Sequence, residues 1–250
     1  MRNLLHNKRT PQPVTSTNVY NFISRYSGQL SIMLMETIVA CFLLVCSIVF
    51  FSANLHNILL VHKPPAERMI PHAEVDQPTG VTLDLVALGT LVYFIEAACY
   101  PILVLANLVS LLSIFTFTIS RWLVLCGQML GLLLTTFGYS LFLWSVIARG
   151  KYATSWAMPE NHRLVTSGPY RYVRHPSYLA YFAMFIGLFA VWPSWLSLIP
   201  LVAVPGYYRV TIQEEKLLER RFGKEYLKYQ KNTGRFVPKL KTHAEEEQND

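Results

Sequence analysis

Charged residues are scarce in this chain of 250 residues. Asp, Glu, Lys and Arg together make up 15% of it, against about 25% in an average soluble domain. Three apolar runs, at residues 28–52, 82–120 and 122–148, each exceed the roughly 20 residues that cross a hydrocarbon core. The shortage of charge excludes an ordinary soluble domain, and the runs predict an integral, multi-pass membrane protein.

Cysteines are also few, and no two of them have metal-binding spacing. The four are Cys41, Cys46, Cys99 and Cys126, and all lie within apolar runs. This placement predicts buried thiols and argues against a disulfide framework or a zinc site. We therefore expect no metal centre.

The net charge of +7 is unevenly distributed along the chain. Segments 1–27, 149–174 and 209–241 are basic, and they alternate with apolar runs. This alternation predicts that the basic segments lie on the cytoplasmic face and contact anionic headgroups rather than nucleic acid. Residues 242–250 are mostly acidic or polar and predict a disordered tail.

If the first two basic segments share one face, an even number of spans separates them. The run at 82–120 is long enough for two helices, and Pro101 lies near its middle, so we expect a turn near Tyr100 and Pro101. Two shorter apolar runs, 178–191 and 195–208, predict a helical hairpin. The expected fold is an all-α polytopic membrane bundle of about six spans.

The most informative stretch follows the third apolar run. Residues 162–170 read HRLVTSGPY, and residues 174–178 read RHPSY. Gly168 and Pro169 predict a turn, and Pro176 suits the first turn of a helix. By composition alone, a juxtamembrane loop with headgroup-binding arginines and an aromatic belt is the simpler interpretation.

Further motifs follow the hairpin and favour a more specific interpretation. Residues 214–218 read EEKLL, residues 222–229 read FGKEYLKY, and a proline stands at position 238. In this order, the motifs over residues 162–238 resemble the carboxyl-terminal signature of the isoprenylcysteine carboxyl methyltransferase family. The first 150 residues match only as unspecific membrane helices. The strand and glycine loop of the soluble methyltransferase fold are lacking.

The resemblance implies a cytoplasmic pocket for S-adenosylmethionine, formed by the signature loop, the hairpin and the helix after it. The implied cofactor-binding residues are His162, Arg163, Leu164, Val165, Tyr170, His175, Pro176, Ser177, Tyr178 and Glu214. Arg163 fills a variable position of the family, so only its backbone is expected to take part. The implied division is an amino-terminal arm, membrane helices, a catalytic region and a tail, at residues 1–27, 28–148, 149–241 and 242–250.

One position departs from the family pattern. The arginine that meets the substrate carboxylate in the family stands four residues before the first glutamate, where this chain has Val210. Arg209 is five residues before Glu214, roughly 140° away around a helix. Arg209 is therefore the candidate catalytic residue if the acceptor is a carboxylate.

The implied activity is methyl transfer to the α-carboxylate of a prenylated carboxyl-terminal cysteine. The partners would be a lipid-modified protein or a small lipophilic acceptor, and membrane lipids. The same motifs would serve a membrane methyltransferase acting on a phospholipid amine or a small thiol. Glu36 and Glu96, acids inside apolar runs, keep open a non-enzymatic transport protein. The implied location is the endoplasmic reticulum in a eukaryote and the plasma membrane in a prokaryote.

Overall fold

The computed structural model describes residues 16–56, 80–150 and 163–239, with side chains from residue 35 onward. These residues form six α-helices and three short 3-10 helices, and within them strand pairing is limited to two isolated bridges. The helices are α1 (Ser16–His56), α2 (Val81–Leu105), α3 (Arg121–Arg149), α4 (Pro176–Val191), α5 (Ala203–Phe222) and α6 (Lys224–Asn232). The expected all-α membrane bundle is confirmed.

Three helices are long and apolar enough to cross a membrane: Met35–His56 within α1, and all of α2 and α3. Helix α4 is apolar but shorter, with 16 residues. Large apolar side chains on the outer faces of the bundle, such as Ile48, Leu91 and Leu133, are more than half exposed. A continuous surface of this kind is unsuited to water, so lipid is the solvent that matches it.

The turn expected at Tyr100 and Pro101 lies elsewhere. Helix α2 continues through Pro101 and ends at Leu105. Asn107 then adopts a left-handed φ of 59°, which asparagine tolerates better than most residues. A 3-10 helix of seven residues, Val109–Phe115, follows, and it is too short to span. The run at 82–120 therefore forms one spanning helix, and the expectation of two is wrong.

The segment after α2 is fastened to the turn between α4 and α5. The backbone N–H of Phe117 donates to the carbonyl of Pro193, and that of Trp195 donates to the carbonyl of Phe115, each at 3.0 Å. These bonds satisfy backbone groups of an irregular segment that would otherwise be costly to place beside lipid.

Glycines bring α3 and α4 into close contact. A Cβ added at Gly131 would lie 2.7 Å from the carbonyl oxygen of Gly187, so a larger residue would separate the helices. Such small-residue contacts are typical of membrane helices. Further along α3, the Ser145 hydroxyl lies 2.8 Å from that of Ser177 at the start of α4. The two helices therefore run antiparallel, and the carboxyl end of α3 meets the first turn of α4.

Helix α1 runs parallel to α3. The Ser47 hydroxyl lies 3.5 Å from the Tyr139 hydroxyl. Three residues further along both helices, the rings of Phe50 and Phe142 have centroids 4.6 Å apart. The carboxyl ends of α1 and α3 therefore lie at the same end of the bundle.

Helix α2 runs in the opposite direction. Near its start, Thr82 accepts a hydrogen bond from Arg209 of α5 at 3.4 Å. Near its end, Tyr100 stacks on Trp192, which follows α4, with centroids 5.1 Å apart. The chain thus crosses the bundle three times between residues 16 and 150, through α1, α2 and α3. An even number of crossings was expected. With α4 and the segment 196–222, the described helices cross the bundle five times, so the count of about six spans is not confirmed.

The acids and thiols inside the spans face different surroundings. Cys41, Cys99 and Cys126 are exposed, and Cys46 is half-buried. The expectation of buried thiols is therefore wrong for three of them, because an apolar run does not distinguish a lipid-facing position from the protein core. Glu96 is buried, and its Oε2 has no hydrogen-bond partner in the described part of the chain.

Candidate active site

The signature loop turns at Gly168 and delivers His175 to the start of α4. Gly168 has a φ of 60°, in the left-handed region that favours glycine, and it begins a 3-10 helix, Gly168–Arg171. Pro176 occupies the first turn of α4, and His175 precedes it without a side-chain cap hydrogen bond. The His175 side chain therefore leaves the first N–H groups of α4 uncapped.

The carboxyl-terminal segment holds this loop from the other side. The backbone N–H groups of Arg174 and His175 donate to the carbonyls of Gly234 and Arg235 at 2.8 and 3.1 Å. The Tyr229 hydroxyl of α6 donates to the carbonyl of Tyr170 at 2.6 Å. Helix α6 and the residues after it, up to Arg235, therefore pack across the loop, and we call this segment the strap. It brings the motifs at both ends of the signature into contact.

Glu215 is buried at the centre of an ion-pair cluster. Arg174 donates to its Oε1 through Nε at 3.0 Å, and Arg174 Nη2 forms an ion pair with the same oxygen at 2.8 Å. Arg235 donates through Nε to Oε1 at 3.0 Å and through Nη2 to Oε2 at 2.6 Å. His175 Nε2 lies 3.1 Å from Oε1, and the Gln230 amide donates to Oε2 at 3.3 Å. Glu215 therefore ties α5 to both the loop and the strap.

The charges around Glu215 favour its ionised form. Burial raises the pKa of Glu215, but hydrogen bonds from His175 and Arg235 and the charge of Arg174 lower it more. The pKa therefore lies below the usual range of a glutamate. Because every oxygen of this carboxylate already has a cationic partner, Glu215 is a structural residue rather than a ligand-binding one.

Glu214, the preceding residue, is more open. The Tyr178 hydroxyl donates to its Oε1 at 2.5 Å, and His175 Nδ1 lies 3.5 Å from its Oε2. The rings of His175 and Tyr178 stack, with centroids 5.8 Å apart and 12° between their planes. The Glu214 side chain is 32% exposed, against 5% for that of Glu215. Glu214 is therefore the carboxylate that a ligand could reach.

His175 lies between the two carboxylates. Burial lowers its pKa, but the hydrogen bonds and charges of Glu214 and Glu215 raise it more, so the pKa lies above the ordinary value. Both ring nitrogens of the protonated imidazole are donors. The two carboxylates thus favour the protonated form of His175, which donates from both ring nitrogens at the start of α4.

Arg149, at the carboxyl end of α3, also belongs to this site. Arg149 donates through Nη2 to the Ser177 hydroxyl at 3.3 Å. Its Nε is buried and has no hydrogen-bond partner in the described part of the chain. Burial raises the pKa of Tyr170, while the Arg149 charge and the Ser177 hydroxyl lower it, so the Tyr170 side chain belongs to the same surroundings.

The structure brings together six of the residues implied by the resemblance. They are Tyr170, His175, Pro176, Ser177, Tyr178 and Glu214. His162 lies outside the described residues. Arg163 is exposed, and Leu164 and Val165 are half-buried. Their part in binding a cofactor stays a prediction.

Arg209 lies apart from this group. It is exposed, and its Nη1 donates to the Thr82 hydroxyl of α2 at 3.4 Å. Val210, at the family's arginine position, is 0% exposed, so an arginine there would bury a charge in the core, which is costly. The role of Arg209 toward an acceptor stays a prediction.

Four residues of the site were not among the candidates from the sequence: Arg149, Arg174, Glu215 and Arg235. Three of them could have been found from the sequence, because charged residues are scarce in this chain. Arg174 and Arg235 are cations that adjoin the shared motifs, and Glu215 is the second acid of EEKLL. Arg149 gave a weaker signal, since a single cation at the end of an apolar run is typical of a headgroup contact.

Known proteins match the part of the chain that builds this site. Residues 126–225 match the family model described as phospholipid methyltransferase. This range extends from within α3 to the start of α6. The resemblance to membrane methyltransferases is confirmed.

Individual relatives are named protein-S-isoprenylcysteine O-methyltransferase. Those of Mus musculus and Homo sapiens are each 31% identical to this chain over 116 residues, which is 44% of this chain and 41% of theirs. That of Xenopus laevis is 30% identical over 119 residues, 46% of this chain and 41% of its own. The chain thus spans about two fifths of the length of these relatives. The matches support a methyltransferase-like enzyme.

Proposed function

We propose that this protein transfers a methyl group from S-adenosylmethionine to the α-carboxylate of a prenylated carboxyl-terminal cysteine. The observation that carries the proposal is Glu214, an accessible carboxylate held by Tyr178 beside the uncapped start of α4, within the region that matches methyltransferases. The relatives bear this activity in their name. Residues 149–241 form the proposed catalytic region.

The acceptor is a lipid-modified protein or a small lipophilic molecule that enters from the bilayer. The protein would reside as a multi-pass protein in the endoplasmic reticulum of a eukaryote or the plasma membrane of a prokaryote, with the site on the cytoplasmic side. Membrane lipids surround the outward apolar faces of α1, α2 and α3.

The residues of the site fit the groups of S-adenosylmethionine. The cofactor has a carboxylate, an ammonium, ribose hydroxyls and an adenine. His175 and the free N–H groups of α4 are donors suited to a carboxylate, helped by the helix dipole. Glu214 is an acceptor suited to the ammonium or the ribose, and Tyr178 and Tyr207, whose ring centroids are 4.9 Å apart, offer aromatic surface.

The protein's contribution to the reaction is alignment. When bound, S-adenosylmethionine supplies a methyl group activated by a positively charged sulfur, which leaves as a neutral thioether. A carboxylate acceptor has a pKa of about 3.5 and is already ionised at neutral pH, so no residue has to remove a proton. Glu214 and His175 would hold the donor in place, and the surrounding helices would exclude water.

The two carboxylates beside His175 favour a carboxylate over an amine as acceptor. An amine is protonated at neutral pH and must lose a proton before it attacks. Glu214 and Glu215 stabilise the protonated form of His175, and in that form the imidazole has no free lone pair to accept a proton. A carboxylate acceptor makes no such demand.

A second candidate is methyl transfer to a phospholipid amine, favoured by the description of the matching family model. A small thiol would use the same cofactor site. The transport protein considered from Glu36 and Glu96 is not favoured, because the matches are to methyltransferases.

The test uses the full chain purified in detergent with methyl-labelled S-adenosylmethionine. Acceptors are a farnesylcysteine analogue, a phosphatidylethanolamine and a small thiol. We expect base-labile labelling of the farnesylcysteine analogue, which identifies a methyl ester, and its loss in Glu214→Gln. Labelling of the phospholipid alone would favour the second candidate, and no labelling of any acceptor would contradict both.

A further inference from the structure

Arg235 is the last residue of the strap, and its backbone contacts His175. The carbonyl oxygen of Arg235 accepts a hydrogen bond from the His175 N–H at 3.1 Å. The ring of the next residue, Phe236, lies beside the His175 ring, with centroids 6.1 Å apart. The position of His175 before α4 therefore depends on a segment that is distant from it in the sequence.

The Arg235 side chain reaches the other end of His175 through Glu215. Arg235 donates through Nε to Glu215 Oε1 at 3.0 Å and through Nη2 to Oε2 at 2.6 Å. His175 Nε2 lies 3.1 Å from the same Oε1. Two parallel hydrogen bonds from a guanidinium group fix the plane of a carboxylate. Arg235 therefore orients the carboxylate oxygen that faces His175.

Arg235 is the outer of the two arginines on Glu215. Its side chain is 25% exposed, against 8% for that of Arg174. Its guanidinium carbon lies 5.3 Å from the centroid of the Tyr208 ring, a distance typical of a cation–π contact. Because Arg174 stays in place when Arg235 is substituted, the substitution changes the orientation of Glu215 without leaving it unpaired.

The opposite nitrogen of His175 faces the carboxylate that a ligand could reach. His175 Nδ1 lies 3.5 Å from Glu214 Oε2, and Glu214 is more exposed than Glu215. The imidazole is a rigid ring, so a shift of Nε2 relative to Glu215 also moves Nδ1. A contact made by Arg235 on one side of the ring is thus transmitted to the open side of the site.

We propose that Arg235 is a positioning residue, which sets the affinity for S-adenosylmethionine by orienting His175 and does not itself contact the cofactor. This inference rests on the proposed function and adds a residue to it. Arg174 has a different role, because its guanidinium group also donates to the carbonyls of Gln230 and Thr233. Arg174 therefore holds the strap to the loop, whereas Arg235 holds Glu215 toward His175.

The charge of Arg235 also acts on the proton of His175. The charged or titratable groups around the imidazole are Glu214 and Glu215 of α5, Tyr178 of α4, and Arg174 and Arg235, which share Glu215. The two carboxylates raise the pKa of His175, and Arg235 offsets part of the charge of Glu215. Removal of the Arg235 charge should therefore raise the pKa of His175 further.

The experiment is a double-mutant cycle on the full chain in detergent. Calorimetric titration with S-adenosylhomocysteine is carried out on wild type, Arg235→Gln, His175→Gln and the double variant, from about pH 6 to 9. Arg235→Lys keeps the charge but not the two parallel donors. Lys228→Gln is the matched control, since it removes an exposed cation of α6. The ligand-free melting temperature of each variant is measured in parallel.

We expect Arg235→Gln to weaken S-adenosylhomocysteine binding by about five- to thirtyfold. In the His175→Gln background the same substitution should have little further effect, because the side chain that Arg235 orients is absent. The affinity should decline as the pH rises through the pKa of His175, and the midpoint of this decline should lie at higher pH in Arg235→Gln. Arg235→Lys should have intermediate affinity, and Lys228→Gln should behave as wild type.

Wild-type affinity in Arg235→Gln would overturn the inference. An equal loss of affinity with and without His175 would overturn it too, because Arg235 would then act by direct contact or through the fold. An unchanged midpoint of the alkaline decline would show that Arg235 does not act on His175. If melting shows that Arg235→Gln does not fold, the same cycle with Arg235→Lys decides. A wild-type protein that does not bind S-adenosylhomocysteine would instead contradict the proposed function itself.

Discussion

The hydroxyl of Tyr178 lies 2.5 Å from a carboxylate oxygen of Glu214, so the first turn of α4 and the middle of α5 meet at one short hydrogen bond. This bond orients the only one of the two adjacent glutamates that a ligand could reach. It also places the aromatic ring of Tyr178 against His175. Orientation of Glu214 and stacking on His175 are thus separate contributions of one side chain, and they can be tested separately.

Replacing Tyr178 by phenylalanine removes the donor and keeps the ring. We expect S-adenosylhomocysteine to bind about three- to tenfold more weakly, because the Glu214 carboxylate loses the group that orients it. Calorimetric titration measures the change. Tyr172→Phe is the matched control, since Tyr172 is exposed in the same loop. Equal affinity in wild type and Tyr178→Phe would mean that Glu214 needs no orientation by Tyr178.

The adjacent glutamates should respond differently to substitution. Glu215→Ala leaves Arg174 and Arg235 without their buried partner, and we expect a loss of about 3–5 kcal/mol in the free energy of unfolding. Glu214→Gln keeps that cluster intact and should retain the melting temperature while losing cofactor affinity. Thermal melting in detergent distinguishes them. Equal destabilisation by both substitutions would show that this division of roles is wrong.

Stability should depend on pH in two opposite directions. The lowered pKa of Glu215 gives stability that is present above the ordinary glutamate pKa of about 4.3 and is lost as the pH falls through the lower value in the folded protein. The raised pKa of His175 gives stability that is complete below the ordinary value of about 6.5 and is lost as the pH rises through the higher folded value.

These two contributions are both present in the weakly acidic range, between about pH 5 and 6.5. We expect the melting temperature in detergent to be highest there. His175→Gln should lose the decline on the alkaline side and keep the acidic one. An alkaline decline of wild-type size in His175→Gln would assign it to another group.

The helix directions predict which ends share a membrane face. Cysteines placed at His56 and Val81 should be labelled from the same side as a cysteine at Arg171, and one at Ser16 from the opposite side. The measurement uses an impermeant thiol reagent on sealed vesicles, with the four native cysteines replaced. Labelling of positions 56 and 171 from opposite sides would contradict the parallel arrangement of α1 and α3.

Hydropathy and the order of motifs were sufficient to predict a membrane bundle and the region of the site. Membrane insertion depends on the summed apolar character of about 20 residues, which is a local property. The motifs around His175 and Glu214 are likewise local, and the turn at Gly168 and the start of α4 at Pro176 follow from the backbone restrictions of those two residues.

Other features depended on contacts between distant residues. Pro101 did not end α2, because a proline within a membrane helix is tolerated where neighbouring groups satisfy the freed carbonyl. The number of crossings followed from which residues of α1, α2 and α3 pack together, and the even number expected from the charge distribution is not confirmed. Lipid-facing and core cysteines have the same local sequence character, so only packing distinguishes them.

The roles of the charged residues were decided in the same way. Glu214 and Glu215 are identical and adjacent, and nothing in EEKLL separates them. Their difference arises because α5 turns Glu215 toward Arg174 and Arg235 and leaves Glu214 toward Tyr178. Arg149 is distant in sequence from both, and it reaches the site only because the glycines of α3 and α4 let the two helices pack closely enough to bring it to Ser177.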